Sequence, residues 1–117
     1  MQRFMFKSKI HRATLTSVKL EYEGSIAIDE NLMEAADLLP GEQVDVLNCS
    51  NGVRLTTYVI KGKRGSGIVE LNGPAARLGY PGDKVIIVSY CALEDADARK
   101  HKPTVVKVDD KNRIRRK

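Results

Sequence analysis

Two stretches of the chain repeat one local pattern: A-A-D-L-L-P-G-E-Q-V-D-V at residues 35–46 and A-A-R-L-G-Y-P-G-D-K-V-I-I at residues 75–87. In each, Ala-Ala begins a helical turn, Leu follows two residues later, and Pro-Gly with an acidic residue leads into a valine-rich strand. The offset is about 40 residues, with one extra residue in the second copy. A duplicated strand–helix–strand unit predicts a small closed β-barrel with pseudo-two-fold symmetry, which also removes exposed edge strands.

Most of the remaining chain has the pattern of strands. Residues 13–22 alternate, with Val18, Leu20 and Tyr22 on one face and charged residues on the other. This period of two is typical of a half-buried strand, and it resumes at residues 26–28. Further strands, most of them rich in β-branched residues, are predicted at 43–49, 53–60, 68–71, 84–91 and 104–108.

Three short helices interrupt the strands. Asp29 is a good N-cap for a helix over residues 30–39, which Pro40-Gly41 ends. Asn72 is predicted to cap a second helix over residues 74–78, and a weaker helix covers residues 93–100. The fold class is therefore predicted as mainly β, a small barrel with short helices.

The net positive charge of the chain comes from its last seven residues. The chain has 117 residues, which predicts one domain, and a net charge of +5. Residues 111–117 (K-N-R-I-R-R-K) carry five positive charges, which leaves 15 basic and 15 acidic residues in the remainder. We therefore expect one neutral barrel domain over residues 1–110, a disordered basic tail over 111–117, and no nucleic-acid partner.

Targeting and metal-binding signals are missing from the sequence. No run approaches the roughly 20 apolar residues of a membrane span, and the start lacks a secretory signal, so the chain is predicted to be cytoplasmic and not membrane-bound. Cys49 and Cys91 form no C-x-x-C motif and are interpreted as buried free thiols. His11 and His101 lie far apart in the sequence, so no metal site is predicted.

Four short clusters contain the candidate functional side chains: 9–12 (K-I-H-R), 22–25 (Y-E-G-S), 54–58 (R-L-T-T-Y) and 72–76 (N-G-P-A-A). Each cluster also has an ordinary structural interpretation, as surface charges, cross-strand partners or turn and cap residues. Gly65-Ser66 is an internal control for Gly24-Ser25, because it lies in K-R-G-S-G, which is typical of a hairpin loop. Ser25 instead follows an aromatic residue and precedes alternating isoleucines, which predicts rigid placement on a strand.

Taken together, K-I-H-R-A-T, L-x-Y-E-G-S-I-A-I-D, N-G-x-R-x-x-T-Y and R-G-S-x-I-x-x-N-G-x-A-A follow in an order that resembles the pyruvoyl-dependent aspartate 1-decarboxylase family. The resemblance covers about residues 1–100. It implies a double-psi β-barrel, assembled as a homotetramer with active sites between subunits. It also implies L-aspartate as substrate and β-alanine and CO2 as products, for pantothenate and coenzyme A synthesis.

The resemblance implies that the chain is made as a proenzyme and cuts itself between Gly24 and Ser25. Residues 1–24 and 25–117 would then be separate chains, and Ser25 would become the pyruvoyl cofactor. In such enzymes this ketone forms a Schiff base with the substrate amino group and accepts the electrons released on decarboxylation. Whether the cut is spontaneous or needs a maturation helper protein stays open.

Roles of individual residues follow from the same resemblance. Arg54 would bind a substrate carboxylate, Lys9 would help bind the dianionic substrate, and Tyr58 would donate a proton after decarboxylation. Thr57 would contribute to self-cleavage and to holding the enolate. The remaining residues expected around the pyruvoyl group are His11, Tyr22, Asn72, Gly73 and Ala75.

Two features of the sequence qualify this interpretation. A regular strand would point Thr57 away from the face that Arg54 and Tyr58 share, so either the strand is irregular or these residues meet across a subunit boundary. Pro74 stands where many family members have alanine, which removes one backbone donor at the helix start.

Two other functions are also considered. A serine hydrolase would use Ser25, His11 and Asp29 as a triad, although no G-x-S-x-G elbow surrounds the serine. A non-catalytic β-barrel binding module would use the basic tail to bind nucleic acid.

Overall fold

The computed structural model describes residues 1–115, which form eight strands and three short helices. The strands are β1 (Gln2–Thr14), β2 (Ser17–Lys19), β3 (Ser25–Asp29), β4 (Gln43–Asn48), β5 (Arg54–Gly62), β6 (Val69–Asn72), β7 (Lys84–Glu94) and β8 (Thr104–Lys107). The helices are α1 (Glu30–Ala35), a 3-10 helix (Gly73–Leu78) and α2 (Asp95–Ala98). The predicted mainly β fold with short helices is confirmed.

The strands form one mixed sheet in the order β2-β6-β3-β5-β4-β7-β1-β8. The link between β1 and β2 connects the two halves of this sheet, because Leu15 N donates to Asp83 O before β7 and Thr16 N donates to Val69 O on β6. The sheet therefore curls around a single core of aliphatic side chains. Fully buried members of this core include Ile10, Leu15, Ile26, Ile28, Val46, Val59, Leu71 and Ile87.

The two sequence repeats make equivalent hydrogen bonds. Gly41 N donates to Val59 O, and Val59 N donates back to Glu42 O. In the second repeat Gly82 N donates to Leu15 O, and Leu15 N donates back to Asp83 O. Both glycines have positive φ, 86° and 98°, a conformation that side chains with a Cβ rarely adopt. The Pro-Gly-acid turns thus anchor β4 and β7, which pair antiparallel with each other, as pseudo-two-fold symmetry requires.

Both of the better-predicted helices follow their predicted N-cap residues, but only the first is capped by a side chain. The Asp29 side chain accepts a hydrogen bond from Asn31 N at 2.8 Å, and the helix ends at Ala35 rather than at residue 39. Asn72 is the N-cap residue of the 3-10 helix, as predicted, but its side chain makes no capping hydrogen bond. Its amide is directed across the sheet instead, as described below.

The single strand predicted over residues 13–22 is wrong: β1 covers Gln2–Thr14, β2 covers only Ser17–Lys19, and residues 20–24 are outside any strand. The first half of β1 pairs antiparallel with β7, from Gln2 opposite Glu94 to Phe6 opposite Tyr90. This two-stranded arm leaves Phe4 86% exposed, so the arm has no buried face that alternation could reveal. Among residues 1–115, no helix is long and apolar enough to cross a membrane.

The expected domain boundary at residue 110 differs from the structure. Asn112 is buried; its side chain accepts a bond from Thr14 N and donates to Thr14 O and Gly67 O. Ile114 forms a β-bridge with Val108. The predicted tail is thus packed on the barrel up to residue 115, and residues 116–117 lie outside the described part. Both cysteines are free, but Cys49 is exposed and Cys91 is half-buried, so the expected burial of both is wrong.

Candidate active site

Ser25 is the first residue of β3 and is 1% exposed. Its hydroxyl donates a weak hydrogen bond to Glu23 O at 3.3 Å, back toward the preceding chain. On its other side the hydroxyl accepts a bond from Asn72 Nδ2 at 3.1 Å. The predicted placement of Ser25 on a strand is confirmed, and the structure adds that its side chain is buried in a polar setting.

Asn72 reaches Ser25 because the two residues are directly opposite in the antiparallel β3–β6 pair. Asn72 is completely buried, yet among residues 1–115 its Oδ1 has no hydrogen-bond partner. An unpartnered buried acceptor costs free energy, so its presence beside Ser25 needs a reason beyond stability. It marks this end of the sheet as a candidate site.

Gly73 packs its backbone against the segment that leads to Ser25. Its φ is 67°, and a Cβ added to it would lie 2.7 Å from Tyr22 O and 2.8 Å from Gly24 N. Pro74 follows, with its Cδ 3.5 Å from a Cβ added to Gly24. Residues 72–74 thus contact the chain on both sides of the Gly24–Ser25 bond.

Strand β5 passes beside Ser25. It runs parallel to β3 with Ile26 opposite Val59, so Ser25 at the start of β3 is next to Tyr58 in the middle of β5. The β4–β5 register is unbroken from Arg54 to Tyr58, and a regular strand turns alternate side chains to opposite faces. Thr57 therefore does face away from Arg54 and Tyr58, and an irregular strand is excluded as the explanation.

Arg54 lies at the far end of this strand segment, about 13 Å along the strand from Tyr58. Its exposed side chain is near Tyr90 and Asp45 on the outer face of the sheet. Burial raises the pKa of Tyr90, the Asp45 carboxylate raises it further, and Arg54 opposes both effects. Thr56 Oγ1 donates to Asp45 Oδ1 at 2.7 Å, which ties this outer face together.

Lys9 and His11 lie on β1, which β5, β4 and β7 separate from β3 in the sheet order. Lys9 Nζ lies 5.4 Å from the centre of the Phe6 ring. The pKa of His11 is lowered by burial and then by the charges of nearby lysine and arginine side chains. Neither residue is brought to Ser25 within one chain, nor is Arg54.

Tyr22 and Ala75 lie on the Ser25 side of the barrel. Tyr22 is half exposed and has Lys19 Nζ 4.7 Å from its ring centre. Ala75 is buried in the 3-10 helix that follows Asn72. One chain thus brings seven of the predicted residues to the Ser25 end of the β3–β6 pair: Tyr22, Gly24, Ser25, Tyr58, Asn72, Gly73 and Ala75. Thr57 is next to Tyr58 in sequence but faces the other side of the sheet.

The alternative triad of Ser25, His11 and Asp29 is not assembled in the chain. Asp29 is at the opposite end of β3 from Ser25, and its carboxylate accepts bonds from Gly65 N and Gly67 N as well as from Asn31 N. Burial opposes ionisation, but these three donors outweigh it and lower the pKa of Asp29. A carboxylate committed to three backbone groups is a structural anchor rather than a partner of a catalytic histidine.

A family model described as aspartate decarboxylase matches residues 1–115. The chain belongs to the aspartate decarboxylase family. A relative from Heliobacterium modesticaldum is 60% identical over 114 residues, covering 97% of this chain and 86% of the relative. One from Thermoanaerobacter pseudethanolicus is 57% identical over 113 residues, covering 97% of both. One from Syntrophus aciditrophicus is 60% identical over 115 residues, covering 98% and 99%. All three are named aspartate 1-decarboxylase.

Family membership confirms the resemblance drawn from the four sequence clusters. Sequence reasoning missed the hydrogen bond between Asn72 and Ser25, because a capping asparagine and one that reaches across a sheet have the same local sequence. It also missed Asp45 and Tyr90 beside Arg54. The alternation of the strand at residues 43–48 could have placed Asp45 on the polar face, but the position of Tyr90 depends on non-local pairing.

Proposed function

We propose that this chain decarboxylates L-aspartate to β-alanine and carbon dioxide, using a pyruvoyl group made from its own Ser25. One observation supports this most directly: the buried Ser25 hydroxyl lies between Glu23 O and Asn72 Nδ2 at a Gly–Ser bond. Membership of the aspartate decarboxylase family supports the same activity.

The residues present suit the formation of this group. The Ser25 hydroxyl attacks the Gly24 carbonyl carbon, the amide C–N bond breaks, and the nitrogen takes the hydroxyl proton, which gives an ester. Loss of the Ser25 α-proton then releases residues 1–24 with a carboxylate on Gly24. Water converts the remaining dehydroalanine to a ketone and ammonia. The Asn72 amide is next to the reacting oxygen before the cut.

The other site residues handle the substrate. When formed, the pyruvoyl group supplies an electron sink for the bond to the departing carboxylate. Arg54 binds a substrate carboxylate through its planar fork, with Lys9 as a second cation. Tyr58, beside Ser25, delivers a proton to the α-carbon after carbon dioxide leaves.

These roles require more than one subunit. Lys9, His11 and Arg54 are remote from Ser25 within one chain, whereas Tyr58 and Asn72 are beside it. The single chain also exposes large apolar side chains, with Phe4 at 86%, Tyr80 at 78% and Leu39 at 67%. Both observations support a homotetramer whose active sites lie between subunits.

A subunit-mixing experiment tests the proposal. Ser25→Ala removes the cofactor precursor, and Arg54→Ala removes the carboxylate contact, so each variant alone should be inactive. In a site shared by two subunits, random co-assembly should restore about one quarter of the wild-type sites, each with an intact Ser25 and an intact Arg54. Conversion of labelled aspartate to β-alanine is the measurement, with mass spectrometry confirming that Arg54→Ala is cut.

Absence of β-alanine formation by the wild-type protein would refute the proposed reaction. If mixed oligomers form but their activity is not restored, the whole site lies within one chain. Adding cell lysate to the uncut wild-type chain tests for a maturation helper protein. A cytoplasmic location agrees with this chemistry and stays a prediction.

A further inference from the structure

No side chain fits at position 73, because backbone atoms of residues 22 and 24 occupy the place that its Cβ would take. An added Cβ would lie 2.7 Å from Tyr22 O, 2.8 Å from Gly24 N and 2.9 Å from Gly24 Cα. Contacts of this length are sterically forbidden, and backbone atoms cannot swing away as a side-chain end can. Gly73 also has φ of 67°, where glycine is strongly favoured.

The fold does not require glycine at the first position of the helix that follows a barrel strand. In the first half of the barrel, β3 ends at Asp29, and the next residue is Glu30, an ordinary first residue of α1. In the second half, β6 ends at Asn72, and the next residue is Gly73. Gly73 packs against the chain that precedes Ser25, and this contact leaves no room for a side chain.

On this basis we propose that Gly73 is a positioning residue for self-cleavage, an inference that rests on the function proposed above. Its missing side chain lets residues 22–24 lie against the start of the 3-10 helix. At the same time Asn72 fixes the Ser25 hydroxyl. The two neighbours therefore set the nucleophile and the Gly24 carbonyl in register from opposite sides of the bond.

Gly73→Ala tests this inference, because it must displace residues 22–24 by several tenths of an ångström or more. A misplacement approaching 1 Å costs about a hundredfold in rate, so cleavage should slow by roughly ten- to a hundredfold. Gly73→Asn is the second variant, since asparagine tolerates positive φ better and separates the steric effect from backbone strain. Both rates are measured by mass spectrometry during incubation.

Gly67 offers a matched control. Its φ is 74°, and an added Cβ would lie 2.6 Å from Lys111 O, a contact of the same kind at a distance from the cut bond. Gly67→Ala and Gly67→Asn should lower the melting temperature as much as the Gly73 variants do, yet be cut at close to the wild-type rate. Hydroxylamine, which cleaves esters, should not restore rapid cutting of Gly73→Ala, because the impaired step precedes the ester.

The outcomes separate the two proposals. Equal cleavage rates in the Gly73 and Gly67 variants, or normal cutting of Gly73→Asn, would overturn the positioning role while leaving the proposed function intact. Rapid cutting of Gly73→Ala by hydroxylamine would also overturn it, because the ester would already have formed. A wild-type chain that is not cut even after cell lysate is added would instead refute the proposed function.

Discussion

The two Gly–Ser segments of this protein lie at opposite ends of the same pair of strands, β3 and β6. At one end, the loop of Gly65 and Ser66 is held by the Asp29 carboxylate, which accepts bonds from three backbone N–H groups. At the other end, Ser25 is held by Asn72, whose Oδ1 has no partner among residues 1–115. The first end satisfies its buried polar groups, and the second does not.

On the proposed function, this difference marks the end of the barrel where stability is lower because the residues there take part in a reaction. Ser66 is exposed and hydrogen-bonds locally, to Lys63 O at 2.6 Å. Ser25 is buried, and the backbone before it is in contact with Gly73. A reactive group needs fixed surroundings, and an incompletely satisfied polar group is typical of a site that has another task.

The largest expected effect comes from the two serines themselves. Ser25→Ala should abolish cleavage because no other atom can replace the attacking oxygen, and activity with aspartate should disappear with it. Ser66→Ala is the matched control and should be cut like the wild type, with stability changed by less than about 0.5 kcal/mol. Intact mass and β-alanine formation measure both. Cutting of Ser25→Ala between residues 24 and 25 would show that the two segments do not differ in the proposed way.

A smaller effect on cleavage is expected at Asn72. Asn72→Ala removes the Nδ2 donor to Ser25 Oγ, and loss of one positioning hydrogen bond of about 1.4 kcal/mol slows cleavage roughly tenfold. The cost in stability should be modest, because the Oδ1 already lacks a partner. Cleavage rate and urea unfolding measure the two effects. A large loss of stability with an unchanged cleavage rate would assign Asn72 to the framework instead.

Asp29→Asn should leave cleavage unchanged and affect stability alone. The carboxylate accepts three backbone bonds, and weakening them should cost about 2 kcal/mol in the free energy of unfolding at neutral pH. Equilibrium urea unfolding measures this loss, and the uncut Ser25→Ala background keeps the chain intact throughout.

The same variant changes the pH dependence of stability. Because the folded pKa of Asp29 lies below its ordinary value, its contribution is complete above the unfolded pKa of about 3.9. It is lost as the pH falls through the folded pKa. The parent protein should therefore lose more stability than Asp29→Asn on acidification below about pH 4. Parallel acid curves for the two proteins would contradict the anchoring role.

The sequence predicted the parts of this comparison that depend on local pattern. Alternation around Ile26 and Ile28 placed Ser25 on a rigid strand, and the composition of K-R-G-S-G placed Ser66 in a loop. The repeated Pro-Gly-acid turns predicted the pseudo-symmetric barrel that sets the two segments at opposite ends.

The parts that failed depend on contacts between distant residues. Asn72 is paired with a residue 47 positions away, and the burial of Asn112 depends on Thr14, 98 positions away. The arm from Gln2 to Phe6 pairs with the end of β7 and has no buried face within one chain. No local pattern reports such pairings, so the sequence did not reveal that the Asn72 side chain bonds to Ser25, or that the predicted tail is ordered as far as residue 115.

The most direct test of the central claim is the intact mass of the purified wild-type protein after prolonged incubation, measured beside its activity with L-aspartate. The expected result is two fragments that meet between Gly24 and Ser25, with the larger lighter by the elements of ammonia and with activity rising as the cut proceeds. A single full-length mass that still forms β-alanine, or a larger fragment that keeps an intact serine, would contradict it.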